Sequence, residues 1–124
     1  MKSTILAAVL AFAAAVPASA GTYLSNNGLR VVFSETSGQI EVFPGLRERN
    51  VLNLYCAAAE TARNQLGART VDRIQIQAMP RGGQGGQFVL RKRGSDPYQQ
   101  SGLTILSKRG SSQTVAAALA SCRY

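Results

Sequence analysis

Residues 50–67, NVLNLYCAAAETARNQLG, are the longest stretch of the chain with a clean helical period, and they carry one of its two cysteines. At about 100° per residue, Val51, Leu52, Tyr55, Ala58, Ala59, Ala62 and Leu66 fall on one side, with Arg49, Asn53, Glu60 and Asn64 opposite. That broad apolar stripe predicts a helix lying on a core, with its polar face in water. Gly67 follows as a C′ residue, able to take the left-handed conformation that closes a helix. The start has two readings: residues 46–49 form a first turn, or Asn50 is the N-cap. Cys56 sits on the shoulder of the stripe, placed to reach something packed beside the helix rather than beneath it.

The first twenty residues have the three parts of a secretory signal. Lys2 supplies the positive start, residues 5–16 a short apolar run, and Ala18-Ser19-Ala20 a small-residue cleavage site. Cleavage after Ala20 leaves residues 21–124, a length that suits one domain with a modest core. The apolar run is too short to span a bilayer comfortably, and no other run in the chain is a candidate for a transmembrane helix. Export implies the periplasm or the exterior, where disulfides persist. Two cysteines allow one intramolecular pairing, Cys56 with Cys122, which brackets most of the folded part.

The remaining pattern predicts short strands. Residues 21–28, GTYLSNNG, read as a polar, turn-prone leader, loosely held. Residues 29–33 and 39–43 are strand-like and joined by SETSG, a five-residue hairpin connection. Beyond the helix, residues 69–79 hold the best period-2 signal, Ile74, Ile76 and Ala78 alternating with Arg73, Gln75 and Gln77. Residues 87–92 and 103–107 complete the strands. A glycine-rich loop at 82–86 precedes the first of these, and a longer loop at 94–102 separates them. A short helix follows with Ser112 as N-cap and Val115, Leu119 and Cys122 facing inward. The order β-β-α-β-β-β-α, with mostly short connections, predicts an α+β domain. Its sheet is mainly antiparallel, with two helices on one face.

Composition excludes more chemistry than it suggests. The chain has no histidine, which removes the usual general base, the usual metal ligand and the familiar triads. Its six carboxylates, Glu35, Glu41, Glu48, Glu60, Asp72 and Asp96, are scattered, and each reads as a solvated surface group. The loop at 82–86 lacks the GKS or GKT ending of a P-loop and the strand–GxGxxG–helix setting of a dinucleotide site. Its amides and the arginines beside it could still hold a small anion. No catalytic residue, cofactor or metal set is expected.

Charge points to partners. Fourteen Lys and Arg against six Asp and Glu give a net charge of +8, a balance that favours anionic partners. The candidate contact residues are Arg91, Lys92 and Arg93 at one strand end, and Lys108 and Arg109 at another, with Arg81 beside the glycine loop. Antiparallel pairing of strands 87–92 and 103–107 would place Arg81, Lys108 and Arg109 at one rim. It would leave Arg91–Arg93 about 15–20 Å away. Nucleic acid is disfavoured, because stacking aromatics do not interleave with the basic residues; only Tyr98 lies near them.

The Tyr55-Cys56-Ala57-Ala58 run, Leu66-Gly67 and the following Arg73-Ile74 resemble a pattern in small secreted bacterial proteins of unknown function. There an aromatic-Cys-Ala-Ala helix is followed by Leu-Gly and an Arg-Ile strand. The resemblance covers about a quarter of the chain after the signal. It implies secretion and brings no activity or catalytic residue with it. The expected function is a periplasmic or secreted, non-enzymatic binding protein contacting a protein or an anionic envelope component. The alternatives are a small enzyme whose carboxylates are brought together by the fold, and an inhibitor of a secreted enzyme presenting loop 94–102.

Overall fold

The computed structural model describes residues 20–45, 50–92 and 107–122. The predicted signal up to Ser19, residues 46–49, Arg93, the loop at 94–102 and residues 103–106 of the last expected strand lie outside them. The fold is α+β, and its six strands form one antiparallel sheet. The strands are β1 (Ala20–Leu24), β2 (Arg30–Ser34), β3 (Gln39–Phe43), β4 (Arg73–Ala78), β5 (Gly86–Arg91) and β6 (Ser112–Thr114). Two helices, α1 (Val51–Gln65) and α2 (Val115–Ala120), pack against each other. Spatial order is β1-β2-β3-β5-β4-β6. Because β5 runs antiparallel to both neighbours, β3 and β4 point the same way with β5 between them. Helix α1 makes the crossover from one to the other.

One face of the sheet carries the core. Val31 and Phe33 of β2, Ile40 and Val42 of β3, Phe88 of β5, and Ile74 and Ile76 of β4 are buried against Leu54, Tyr55, Ala58, Ala59 and Ala62 of α1. The alanines let the helix backbone come close to the sheet, and Tyr55 adds an edge-to-face contact with Phe88, ring centroids 5.0 Å apart. Of the two readings of where α1 begins, the Asn50 cap is the one the fold adopts, and the end at Gly67 is as expected. Asn50 Oδ1 accepts from the Leu52 amide at 2.9 Å, and Gly67 has φ +66°, which lets the Ala68 amide return to the Ala62 carbonyl at 2.9 Å.

Three expectations about the chain's outer elements are overturned. The polar leader is strand β1, in register with β2 from Ala20 opposite Ser34 to Leu24 opposite Arg30. Gly21 packs so closely on the Phe33 ring that a Cβ there would come within 2.5 Å of it. The last helix begins at Thr114, whose Oγ1 accepts from the Ala117 amide at 3.1 Å; Ser112 belongs to β6 instead. Strand β4 starts only at Arg73, because residues 69–72 form a turn in which the Arg69 amide donates to Asp72 Oδ2 at 2.8 Å. At its other end a register shift between Ile76 and Ala78 turns Ala78 outward, so the predicted alternation fails at its last residue.

The polar face of α1 is only partly in water, with Asn64 exposed and Glu60 buried. The Asn53 carbonyl accepts from Asn27 Nδ2 at 3.0 Å, Glu60 Oε2 accepts from the Asn26 amide at 2.9 Å, and Asn64 Nδ2 donates to the Tyr23 hydroxyl at 2.9 Å. The face predicted to be solvated is the docking surface for β1 and the turn after it. Glu60 is fully buried as a result. Asp72 is also buried, held by the Arg69 amide and by Arg69 Nη2 at 3.3 Å, so these two carboxylates are internal structural acceptors.

Candidate functional site

The parallel strands β3 and β4 end on the same side of the sheet, and α1 starts there. Between them opens a cleft of about 540 Å³. Phe43, Pro44 and Gly45 form the wall after β3, Met79 and Pro80 the wall after β4, and Leu54 the contribution of α1. Residues 81–84 close the remaining side. The prolines explain why both strands stop: each lacks the amide that another rung would require.

The glycine loop is tighter than its composition suggests. Arg81 and Gln84 pair, with the Arg81 amide on the Gln84 carbonyl at 3.0 Å and the reverse bond at 2.9 Å. Gly82 and Gly83 form the two-residue tip, Gly82 with φ +57°, the positive angle that the first residue of a type II′ hairpin needs. Gly85 then passes against β3. Its amide donates to Glu41 Oε2 at 2.8 Å, which uses a third carboxylate as a structural acceptor. A Cβ on Gly85 would lie 2.5 Å from the Val42 carbonyl oxygen, whereas one on Gly83 meets nothing within 4 Å. Gly85→Ala is therefore expected to cost about 1–3 kcal/mol. Gly83→Ala should stay within about 0.5 kcal/mol of the parent. Urea midpoints of the two variants check the contrast.

The basic candidates divide between two ends of the sheet. Arg81 borders the cleft, exposed, and its side chain has no hydrogen bond or ion pair among the described residues. The turn at 107–110 lies beside the same end of β4, because the Gly110 amide donates to the Ile76 carbonyl at 2.8 Å and Gln75 Nε2 to the Gly110 carbonyl at 3.1 Å. Lys108 and Arg109 on that turn are exposed, and their side chains are likewise unpartnered among the described residues. Arg91 pairs in register with Arg73 at the far end of β5, where its Nε donates to Gln75 Oε1 at 3.1 Å, and Lys92 follows it. Arg93 is outside the described residues.

The route to this arrangement differs from the expected one. Both edges of β5 are taken, with β3 on one side and β4 on the other, and residues 103–106 lie outside the described residues. The 107–110 turn reaches β4 through β6 instead, in antiparallel register from Arg73 opposite Thr114 to Gln75 opposite Ser112. Arg73 is drawn into that pairing: its Nε donates to Ser112 Oγ at 2.8 Å and its Nη2 to the Ser112 carbonyl at 3.1 Å.

The electrostatics of the cleft are one-sided. No carboxylate is among its described wall residues, and the first turn of α1 has no acidic side chain to offset the positive end of the helix. The apolar walls at Phe43, Leu54 and Met79 had no mark in the sequence as a cavity. They separate in the chain and meet only because β3 and β4 are parallel. Their one sequence signal is the pair of strand-terminating prolines, Pro44 and Pro80.

Metal chemistry finds one grouping among the described residues: Cys56, Cys122 and Glu60, ligand atoms within 4.8 Å of one another. The two sulfurs are joined to each other at 2.04 Å, so neither is a thiolate that could bind an ion. This bond ties α1 to the end of α2, as the cysteine count predicts, and is consistent with a periplasmic or extracellular setting. Among the described residues no helix is long and apolar enough to cross a membrane. No family model matches the chain, and no curated protein or solved structure proved similar to it.

Proposed function

We propose that this is a secreted, non-enzymatic binding protein, exported by a signal cleaved after Ala20, whose working surface is the basic end of the sheet. Its partner presents negative charge, as a protein surface or an anionic component of the envelope. The observation that carries the reading is that Arg81 lines the cleft after β4 while Lys108 and Arg109 stand on the turn bonded to Ile76 of the same strand, all three side chains exposed and unpartnered among the described residues. The likeness of the central helix to small secreted bacterial proteins agrees with export. The enzyme reading loses ground because Glu41, Glu60 and Asp72 are already engaged as acceptors of backbone amides.

Chromatography on a heparin matrix tests the proposal. The protein should be retained at low salt and released steeply as salt rises, since each neutralised anion releases counterions. The combined variant Arg81→Gln, Lys108→Gln, Arg109→Gln should elute well before the parent, and before a variant carrying Arg91→Gln and Lys92→Gln. Elution of the parent at low salt with neutral proteins of its size would remove the anionic partner.

A further inference from the structure

The cleft is more than a basic rim, because its walls are chemically two-sided. Phe43, Pro44, Leu54, Met79 and Pro80 offer an apolar lining, and at its other side stand Arg81 and the hairpin tip. The amides of Gly82 and Gly83 form no hydrogen bond among the described residues, unlike those of Arg81, Gln84 and Gly85. The apolar residues are recessed: Leu54 is fully buried, and Phe43, Pro44, Met79 and Pro80 are half-buried. A surface that inserts into lipid needs protruding apolar groups; recessed ones suit a single chain or ring entering from outside. A volume of about 540 Å³ lies inside the roughly 300–1,000 Å³ range of small-molecule pockets.

We infer that this cleft binds a small amphipathic carboxylate, its aliphatic or aromatic body among Phe43, Leu54 and Met79 and its carboxylate on Arg81 and the tip amides. The inference rests on the proposed role of the basic end in contacting anions, and it adds an apolar determinant that a simple polyanion lacks. Arginine suits the head group because its planar fork meets both oxygens of a carboxylate. Unshared backbone amides are a second anion-binding element. The body contributes through burial, each fully buried methylene being worth about a fourfold gain in affinity.

Isothermal titration of the intact, disulfide-bonded protein decides the matter. Acetate, hexanoate, decanoate and decanol are the probes, together with N-acetyl-Phe-Leu bearing a free carboxylate and the same peptide as its amide. Affinity should climb from acetate to decanoate. Decanoate should bind at least about tenfold more tightly than decanol, the effect of a charge-assisted hydrogen bond. Arg81→Gln should remove that advantage and leave decanol unchanged, while Lys92→Gln, at the other end of the sheet, should alter neither. Tighter binding of decanoate than of the peptide acid would assign the carboxylate to free acids, and the reverse to peptide C-termini. Decanoate no tighter than acetate, decanol equal to decanoate, or an Arg81→Gln variant that binds like the parent would each overturn the inference. Loss of decanoate binding with salt-sensitive heparin retention intact would remove only this inference. Failure of both would remove the anion-contact reading as well.

Discussion

Replacing Tyr55 by alanine is expected to cost about 3–5 kcal/mol, the range for deleting a buried aromatic ring. Tyr55 is fully buried at the centre of the contact between α1 and the sheet. Its ring meets Phe88, and its hydroxyl donates to the Ser111 carbonyl at 3.1 Å, joining α1 to the segment that leads into β6. Against a total stability of about 5–15 kcal/mol, typical of single domains, that loss removes between about a fifth and all of the margin. Tyr55→Phe keeps the ring and loses the hydroxyl contact, so it should cost only about 1 kcal/mol. Urea denaturation of the two variants separates packing from hydrogen bonding.

The same residue sets an alkaline limit. Burial pushes the Tyr55 phenol above its ordinary value, so the folded protein keeps it neutral where an unfolded chain would ionise it. The folded pKa is the higher of the two. The contribution of the neutral phenol is therefore complete below about pH 10 and declines above it, as the unfolded state releases its proton. The urea midpoint should fall between pH 9 and pH 11, and fall less in Tyr55→Phe. Equal slopes in the two proteins would show that other groups control alkaline unfolding.

Loss of the disulfide is expected to have an effect of similar size. Cys56 and Cys122 are 66 residues apart, and closing a loop of that length removes chain entropy from the unfolded state worth about 4 kcal/mol. For a domain of about 100 residues that corresponds to a fall in Tm of about 15–30 °C. Calorimetry with and without reductant measures it, and the Cys56→Ala, Cys122→Ala double variant supplies a control free of reductant. An unchanged Tm in both would mean that the packing of α1 on α2 alone holds the end of the chain.

How much of this was legible beforehand depended on the range of the interaction involved. Most local signals were legible. The left-handed Gly67 and the hairpin between β2 and β3, and the Asn50 cap as one of two open readings, are decided by residues within a few positions of one another. The disulfide followed from arithmetic, since two cysteines allow one pair. Glu60 and Asp72 were misread for the opposite reason. Glu60 looks like a solvated residue on the polar side of an amphipathic helix, and what buries it is a backbone amide 34 positions earlier. Composition says nothing of such a partner. The leader at 21–28 was misread with it: β1 and the polar face of α1 satisfy each other, so missing one meant missing both.

The candidate site divides along the same line. The sequence by itself determined that the surface is basic, that histidine chemistry is absent, and that a glycine hairpin stands next to Arg81. Tertiary structure decided which basic residues share an end. Placing β5 between β3 and β4 makes those strands parallel, brings Pro44 and Pro80 to the same side, and opens the cleft between them. Pairing β6 with β4 carries Lys108 and Arg109 to that end and leaves Arg91 and Lys92 at the other. The physical reason is that strand order is a choice among non-local hydrogen-bonded pairings of similar local quality. It is settled by how the apolar faces of all six strands and α1 bury together, and no single segment of the sequence contains that sum.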